Sequence, residues 1–318
     1  MTDAAIPAPA AARRSGRIPE LALFAVVLAA AAAAPAVLPP FTIHLVALVL
    51  CYGTWAMSFG LVMGQLGLTS FGHAALFGGG TYAAAWVALN VSDSLVAGVG
   101  AAGLFGAGIG AVLGLVLGRL SGVAFSIGSL AFGGMVTQVA NSWAEVTGGS
   151  DGLVGLPFPR LLGRDLDNRA LYAVAAVLAL LTYAVLRAVL RRRPGLLLHA
   201  VRDNPLRAAS SGIHVHAVRI ATLASSGLLA GLAGGVSAFI VGSVAPSSLD
   251  WSASGTVLVM AVLGGVGTII GPLLGAVGYT VFEQALSQVL PNYRLVLGLA
   301  FITVVLLNPS GIRWRRGA

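Results

Sequence analysis

The sequence predicts an all-α integral membrane protein of about ten transmembrane helices, and three observations carry that prediction. Of 318 residues, 58% are hydrophobic and only 9% are charged, against about 25% charged in a soluble domain. So few charges cannot cover a water-facing surface, whereas lipid asks for no polar partner. Apolar runs long enough to span recur along the chain, and 43 glycines are spread through them. The length limits the whole to one compact bundle.

A span needs about 20 apolar residues at about 1.5 Å rise each. Such runs fall at 20–38, 42–63, 70–90, 95–118, 122–143, 170–189, 218–243, 254–270, 272–290 and 295–308. Pro39 and Pro40 break the first from the second. The stretch 145–169 is a polar external loop and 190–217 an internal one. The pair 254–270 and 272–290 is divided only by Gly271 and Pro272, so two full spans and one re-entrant pair both fit. The segment 1–19 reads as a cytoplasmic tail, polar and basic. The run after it lacks a flank suited to cleavage and reads as a retained span. Residues 309–318 form the other cytoplasmic tail.

Orientation follows from arginine. All 18 basic residues are Arg. With the N-terminus inside and the spans alternating, fourteen Arg fall inside and only Arg160, Arg164, Arg169 and Arg294 outside. That asymmetry obeys the positive-inside rule and places both termini in the cytoplasm of a multi-pass inner-membrane protein. It also gives the net charge of +8 a topological meaning rather than a nucleic-acid one. An even number of spans keeps both terminal Arg clusters inside.

Composition excludes several activities. Without Lys there is neither a Walker A loop nor a Schiff-base lysine. The single Cys51 cannot form an internal disulfide and reads as a small buried hydrophobe. Five scattered His with no carboxylate at ligand spacing give no metal site. No Ser–His–Asp set can assemble within one leaflet, so a catalytic role is not expected. Trp55, Trp86, Trp143, Trp251 and Trp314 read as interface anchors.

Glycines four apart, as in Gly227/Gly231/Gly235 and Gly267/Gly271/Gly275, permit close helix approach. Glycine clusters also permit broken helices that line transport pathways. The most telling stretch, Gly64–Gly78, packs Gln65, Thr69, Ser70 and His73 into a Gly-rich apolar run. Polar side chains at membrane depth face the bundle interior, either bonding helix to helix or lining a path. Glu283 lies within a span and carries the same two readings. The candidate pathway residues are therefore Gln65, Thr69, Ser70, Gly72, His73, Gly78, Gly264, Gly265, Gly267 and Glu283.

Five segments in order carry a resemblance: Gln65, Gly67, Gly72, His73, Ala74, Phe77 and Gly79; Thr147–Leu153; His199–Pro205 with Ala208, Ala209, Gly212 and Ile213; Val262–Thr268 with Gly271, Pro272 and Gly275; and Asn308–Gly311. Together the chain resembles the integral membrane permeases of branched-chain amino acid ABC importers, over roughly residues 45–312. The resemblance implies a vitamin-importer-like (type II) permease bundle. It also implies a second permease subunit, two ABC ATPases that hold ATP and Mg, a periplasmic solute-binding protein, and no cofactor on this chain itself. The partners are lipid and protein, not nucleic acid. Ala200, Arg202, Asp203, Asn204, Ala208, Ala209 and Gly212 would form the ATPase-coupling loop. There Asp203 or Asn204 can cap a short helix starting at Pro205 and stopping at Gly212. Pro205 stands where this motif often has Glu. Thr147, Gly149, Ser150, Asp151 and Gly152 would face the binding protein. The solutes open to such a machine are branched-chain or similar apolar amino acids, or else urea, short amides and aromatic acids. An ion-driven secondary transporter is the competing class.

Overall fold

A computed structural model of the chain describes residues 39–161, 163–289, 295, 296, 298 and 299. The expected span 20–38, both tails, the Asn308–Gly311 segment and most of 295–308 lie outside these residues. The described chain is mainly helical, with two short β pairs in the connections. Its helices are α1 (Pro40–Gly60), α2 (Ala74–Asn90), α3 (Leu95–Leu117), α4 (Gly122–Ser142), α5 (Ala144–Thr147), α6 (Asn168–Leu190), α7 (Arg193–Asp203), α8 (Pro205–Ser210), α9 (Val215–Val241), α10 (Trp251–Gly264) and α11 (Gly271–Val289). Among the described residues, five segments are long and apolar enough to cross a membrane: α1 with its extension to Leu66, α3, α4, α6 and α9.

Local chemistry sets the ends. Pro39 is extended and Pro40 opens α1, where a missing N–H does no harm. The helix widens into a π turn over Leu61–Leu66 and stops at Gly67, whose φ of 79° suits a glycine. Asp167 caps α6 by accepting from the Ala170 N–H at 2.9 Å, and Asp250 opens α10 by accepting from Trp251 at 2.7 Å. Gly242, with φ 75°, ends α9. The C-terminus of α3 is closed by a side chain from another helix. Buried Arg219 of α9 donates to the Gly118 and Leu120 carbonyls at 2.9 and 2.8 Å, setting a cation where the helix dipole is negative.

The core is built around α1 and α9. In their apolar windows 78% and 72% of residues are buried, against 22–33% in α3, α4 and α6, which leave most of their surface outward for lipid. The most extensive packing is α3 on α9, then α2 on α9 and α2 on α3. Glycine makes it possible. A Cβ on Gly80 would stand 2.6 Å from the Gly231 backbone, and one on Gly106 would stand 2.9 Å from Gly231 Cα. The second expected glycine row divides. Gly271 and Gly275 pack tightly against the end of α10, but a Cβ on Gly267 would meet nothing within 4 Å.

Two predicted boundaries move. The span expected at 70–90 begins as a helix only at Ala74, and residues 67–73 are not helical. The break expected at Gly271–Pro272 lies earlier: α10 ends at Gly264, 265–270 form the turn, and Pro272 sits within the first turn of α11. At 14 residues α10 is about 21 Å long, short of the roughly 30 Å hydrocarbon core. The turn lies against the widened extension of α1, where a Cβ on Gly64 would strike the Val266 carbonyl.

The connections segregate to two ends. At one, the short strands β1 (Leu153–Val154) and β4 (Ser243–Val244) pair antiparallel, as do β2 (Arg160–Leu161) and β3 (Arg164–Asp165). There Arg160 pairs with Asp93 at 3.2 Å and Asp165 at 2.6 Å, both of which raise its pKa further. At the other end lie α7, α8 and the turn 265–270.

Candidate functional site

The non-helical stretch 67–73 enters the bundle interior, where an unpaired backbone group would be costly. Serines from other helices supply what the missing helix does not. The Phe71 N–H donates to Ser129 Oγ of α4 at 3.0 Å, and Ser126 of the same helix donates to the Thr69 carbonyl at 2.8 Å. The Ala74 N–H, first in α2, donates to buried Ser254 of α10 at 2.8 Å. Glycine allows the approach, because the Gly72 and Gly133 backbones meet closely enough that a Cβ on Gly133 would sit 3.0 Å from Gly72 Cα.

His73 is fully buried beside this stretch. Its Nε2 lies 3.2 Å from Ser58 Oγ and 3.4 Å from Ser226 Oγ, and Ser226 donates to the Ser58 carbonyl at 2.7 Å. The imidazole stands edge-on to Phe59 at 5.1 Å and 88°. It therefore ties α1, α9 and the start of α2 together and lines neither cavity described below. Gln65 is buried in the widened turn, and Ser70 is fully buried. Among the described residues the Ser70 hydroxyl has no hydrogen-bond partner. Gly78 packs on Ser248 and Leu249. Gly264 packs on Gly275, and Gly265 turns the chain with φ 90°. Most of the candidate pathway residues thus build the non-helical connection between α1 and α2 and the turn after α10 rather than a single pocket.

Two of them reach cavities. Thr69, with Gly67 and Phe71, lines a cavity of about 470 Å³ against Val123, Ser126 and Ile127 of α4. Glu283, half-buried on α11, lines a second of about 410 Å³. One wall of that second cavity is aromatic. Trp55 and Phe77 stack with centroids 4.4 Å apart and planes at 21°, and Tyr52 lies 6.0 Å from Phe77. Hydroxyls of Thr81, Ser237, Ser248 and Thr256 supply another wall, and Tyr279 stands beside Glu283 on α11. Trp55 is 3% exposed, so it is a cavity wall and not the interface anchor expected of it. Its ring has Phe77 to stack on, which an isolated tryptophan in an apolar run does not reveal. Trp86, Trp143 and Trp251, at 41%, 55% and 60%, are exposed as anchors would be.

The expected coupling loop is two helices. In α8 the Asn204 Oδ1 accepts from the Arg207 N–H at 3.0 Å, with Pro205 in the first position and Gly212 at φ 84° after the end. Ala200 and buried Ala208 face the protein, while Asp203 and Ala209 are exposed. Arg202, in the last turn of α7, donates to the Gly64 carbonyl in the widened turn that extends α1. A Cβ on Gly67 would stand 2.9 Å from Arg202 Cγ. One guanidinium therefore joins the α7–α8 end to the start of the non-helical connection between α1 and α2.

In the loop 145–169 most of the expected residues serve its own shape. Thr147 donates to the Trp143 carbonyl at 2.8 Å and accepts from the Gly149 N–H at 3.2 Å. Gly149 is buried, and Gly152 lies against Val244. Ser150 and Asp151 bond to each other and are exposed, and the exposed large apolar side chains of the loop are Val154 and Phe158, at 70% and 68%.

Sequence reasoning missed Ser58, Ser126, Ser129, Ser226 and Ser254, and the aromatic wall. The signal for the serines was present, since each is a hydroxyl within an apolar span. Nothing local says which backbone group each one meets.

The family model for the branched-chain amino acid transport system permease component matches residues 41–307. The chain belongs to this permease family. Its relatives include the high-affinity branched-chain amino acid transport system permease protein LivM of Escherichia coli (strain K12), 26% identical over 295 residues, covering 85% of this chain and 69% of that one. LivM of Salmonella typhimurium is 25% identical over the same shares. No solved structure matches the chain. A member of this family is a multi-pass transmembrane subunit and not a catalytic one, and membership implies ATPase and binding-protein partners in general terms.

Proposed function

We propose that this chain is the permease subunit of an ATP-driven importer that moves branched-chain or similarly apolar amino acids across the inner membrane by alternating access. The observation that carries the reading is the non-helical connection 67–73 between α1 and α2, held by hydroxyls of other helices and joined through Arg202 to the helix pair α7–α8. A segment whose bonds run to its neighbours, not along its own ladder, is suited to move when they move. The full path has ten crossings with both ends in the cytoplasm. The arginine asymmetry and the segregation of the described connections support that orientation. On the α7–α8 side Leu196 and Leu206 are 72% and 82% exposed, apolar side chains fit for a groove in an ATPase. On the other side Val154 and Phe158 offer contact to a binding protein. A second permease subunit completes the assembly, and ATP and Mg belong to the ATPases.

The aromatic wall beside Glu283 favours solutes with apolar side chains over urea and short amides. Glu283 is the one acid well inside a span the sequence predicts, too few for the paired acids expected of an ion-driven carrier. The test is uptake of labelled leucine by proteoliposomes holding the assembled transporter. Uptake is expected to need both ATP inside and binding protein outside and to ignore ionophores. Uptake that collapses with the proton gradient while ATP persists defeats the reading.

A further inference from the structure

We propose that residues 70–73 are a switch in the transport cycle: a turn that is unwound here winds onto α2 in the opposite state, where the Ser70 hydroxyl bonds to His73. This rests on the permease reading above and names the part that moves.

Two buried groups stand unmatched. Ser58 Oγ donates to the Trp55 carbonyl and Ser226 Oγ to the Ser58 carbonyl, each at 2.7 Å. With both hydrogens committed, those oxygens turn lone pairs toward His73 Nε2, at 3.2 and 3.4 Å. Nε2 therefore carries the ring hydrogen, and in the neutral imidazole Nδ1 is a bare acceptor. Nδ1 is buried with no partner among the described residues, and so is the Ser70 hydroxyl, which can donate. A matched donor and acceptor thus lie three positions apart in one buried stretch, with the bond between them unmade. Buried polar groups are rarely left so without a reason.

The local chain offers the arrangement in which they meet. Residues three apart in a helix share a face, so a turn wound over 70–73 sets Ser70 beside His73. His73 already has helical angles, φ −69° and ψ −23°, and no side chain caps α2 there. What holds the turn open comes from other helices: Ser129 accepts from the Phe71 N–H, Ser254 accepts from the Ala74 N–H, and Ser126 donates to the Thr69 carbonyl. Winding replaces each of these from within. The Ala74 N–H passes to the Ser70 carbonyl and the His73 N–H to the Thr69 carbonyl, each four positions back. Thr69 is a residue type suited to cap the lengthened helix, its hydroxyl accepting from Phe71 or Gly72. Gly72 weakens the wound form, which keeps the two forms in competition. The exchange requires α4 to draw back, because the Gly72 backbone lies tight against the Ser129 carbonyl.

The experiment reads the imidazole nitrogens by solid-state NMR of the histidine-labelled, assembled transporter in nanodiscs. The His73 signals are those that vanish in His73→Gln. Nucleotide-free transporter is compared with transporter trapped by ATP and vanadate. His73 Nδ1 is expected as a bare acceptor in one state and a hydrogen-bonded one in the other, and Ser70→Ala is expected to leave it bare in both. Ser70→Ala is also expected to lower uptake per ATP severalfold with no fall in the thermal unfolding midpoint, since this hydroxyl makes no bond in the unwound form. A residue that only held the fold would lower the midpoint. An Nδ1 signal that is the same in both states overturns the proposal, as does a change that survives in Ser70→Ala or unaltered uptake per ATP in that variant. If Ser70→Ala fails to assemble, the comparison of the two states in the unaltered protein decides alone. Failure of the permease reading is separate, and shows as absence of ATP- and binding-protein-dependent uptake by the unaltered transporter.

Discussion

Gly80 and Gly134 show how much a single hydrogen in place of a side chain decides here. Both lie within helices of the bundle. At Gly80 a Cβ would collide with the Gly231 backbone, whereas at Gly134 it would meet nothing within 4 Å. Gly80→Val is therefore expected to destabilise the protein by about 1–3 kcal/mol, the usual range for overpacking. Gly134→Val, on an exposed face, is expected to leave stability nearly unchanged. Thermal unfolding of the detergent-solubilised protein checks the pair, and equal midpoints for the two variants would contradict the packing described. The sequence already marked Gly227, Gly231 and Gly235 as a packing row, because their spacing alone puts them on one face. It could not separate Gly267 from Gly271 and Gly275. That difference depends on where α10 ends, which spacing does not tell.

At the scale of the element, α8 was legible nearly residue by residue. Its cap, its proline and its stop are local chemistry, and local chemistry is written in order along the chain. The stretch 67–73 was legible only in part. Its polar residues announced an interior, but the hydroxyls that free it from helix belong to Ser126, Ser129 and Ser254, 57 to 180 positions away from the backbone groups they serve. Apolar content near 70 predicted a helix from 70 onward, and hydropathy does not register a partner supplied from a distant helix. The link from α7 to this stretch is open to test. Arg202→Gln removes the charge at the C-terminus of α1 and shortens the reach to Gly64. ATP hydrolysis by the assembled transporter is expected to continue while solute moved per ATP falls severalfold. Parallel measurements of uptake and phosphate release check this, and an unchanged ratio would show that Arg202 only holds the fold.

For the whole molecule, charge gave an orientation that packing alone cannot. The arginines named an expected inside and outside, and the described connections gather at two ends of the bundle. Arg160, Asp93 and Asp165 clasp one end, and Arg202 and Arg219 secure helix ends at the other. Thiol labelling in intact cells tests the assignment. Cys51 is fully buried, so it gives little background. Ser150→Cys is expected to react with a membrane-impermeant maleimide from outside, and Ser210→Cys only after the membrane is opened. The reverse pattern would invert the topology. Oligomeric context was the least legible level, because the outward faces of α3, α4 and α6 are apolar whether lipid or another subunit covers them.

The serine bonds to 67–73 have a consequence for timing. A helical amide exchanges its hydrogen for deuterium only when a whole turn opens, whereas the amides of Phe71 and Ala74 are each guarded by one hydroxyl on another helix. They should become exchangeable whenever α4 or α10 shifts by a fraction of a bond length, with every neighbouring helix still wound. These two positions would then report how much of the time α4 or α10 stands away from the connection, with deuterium as the only label.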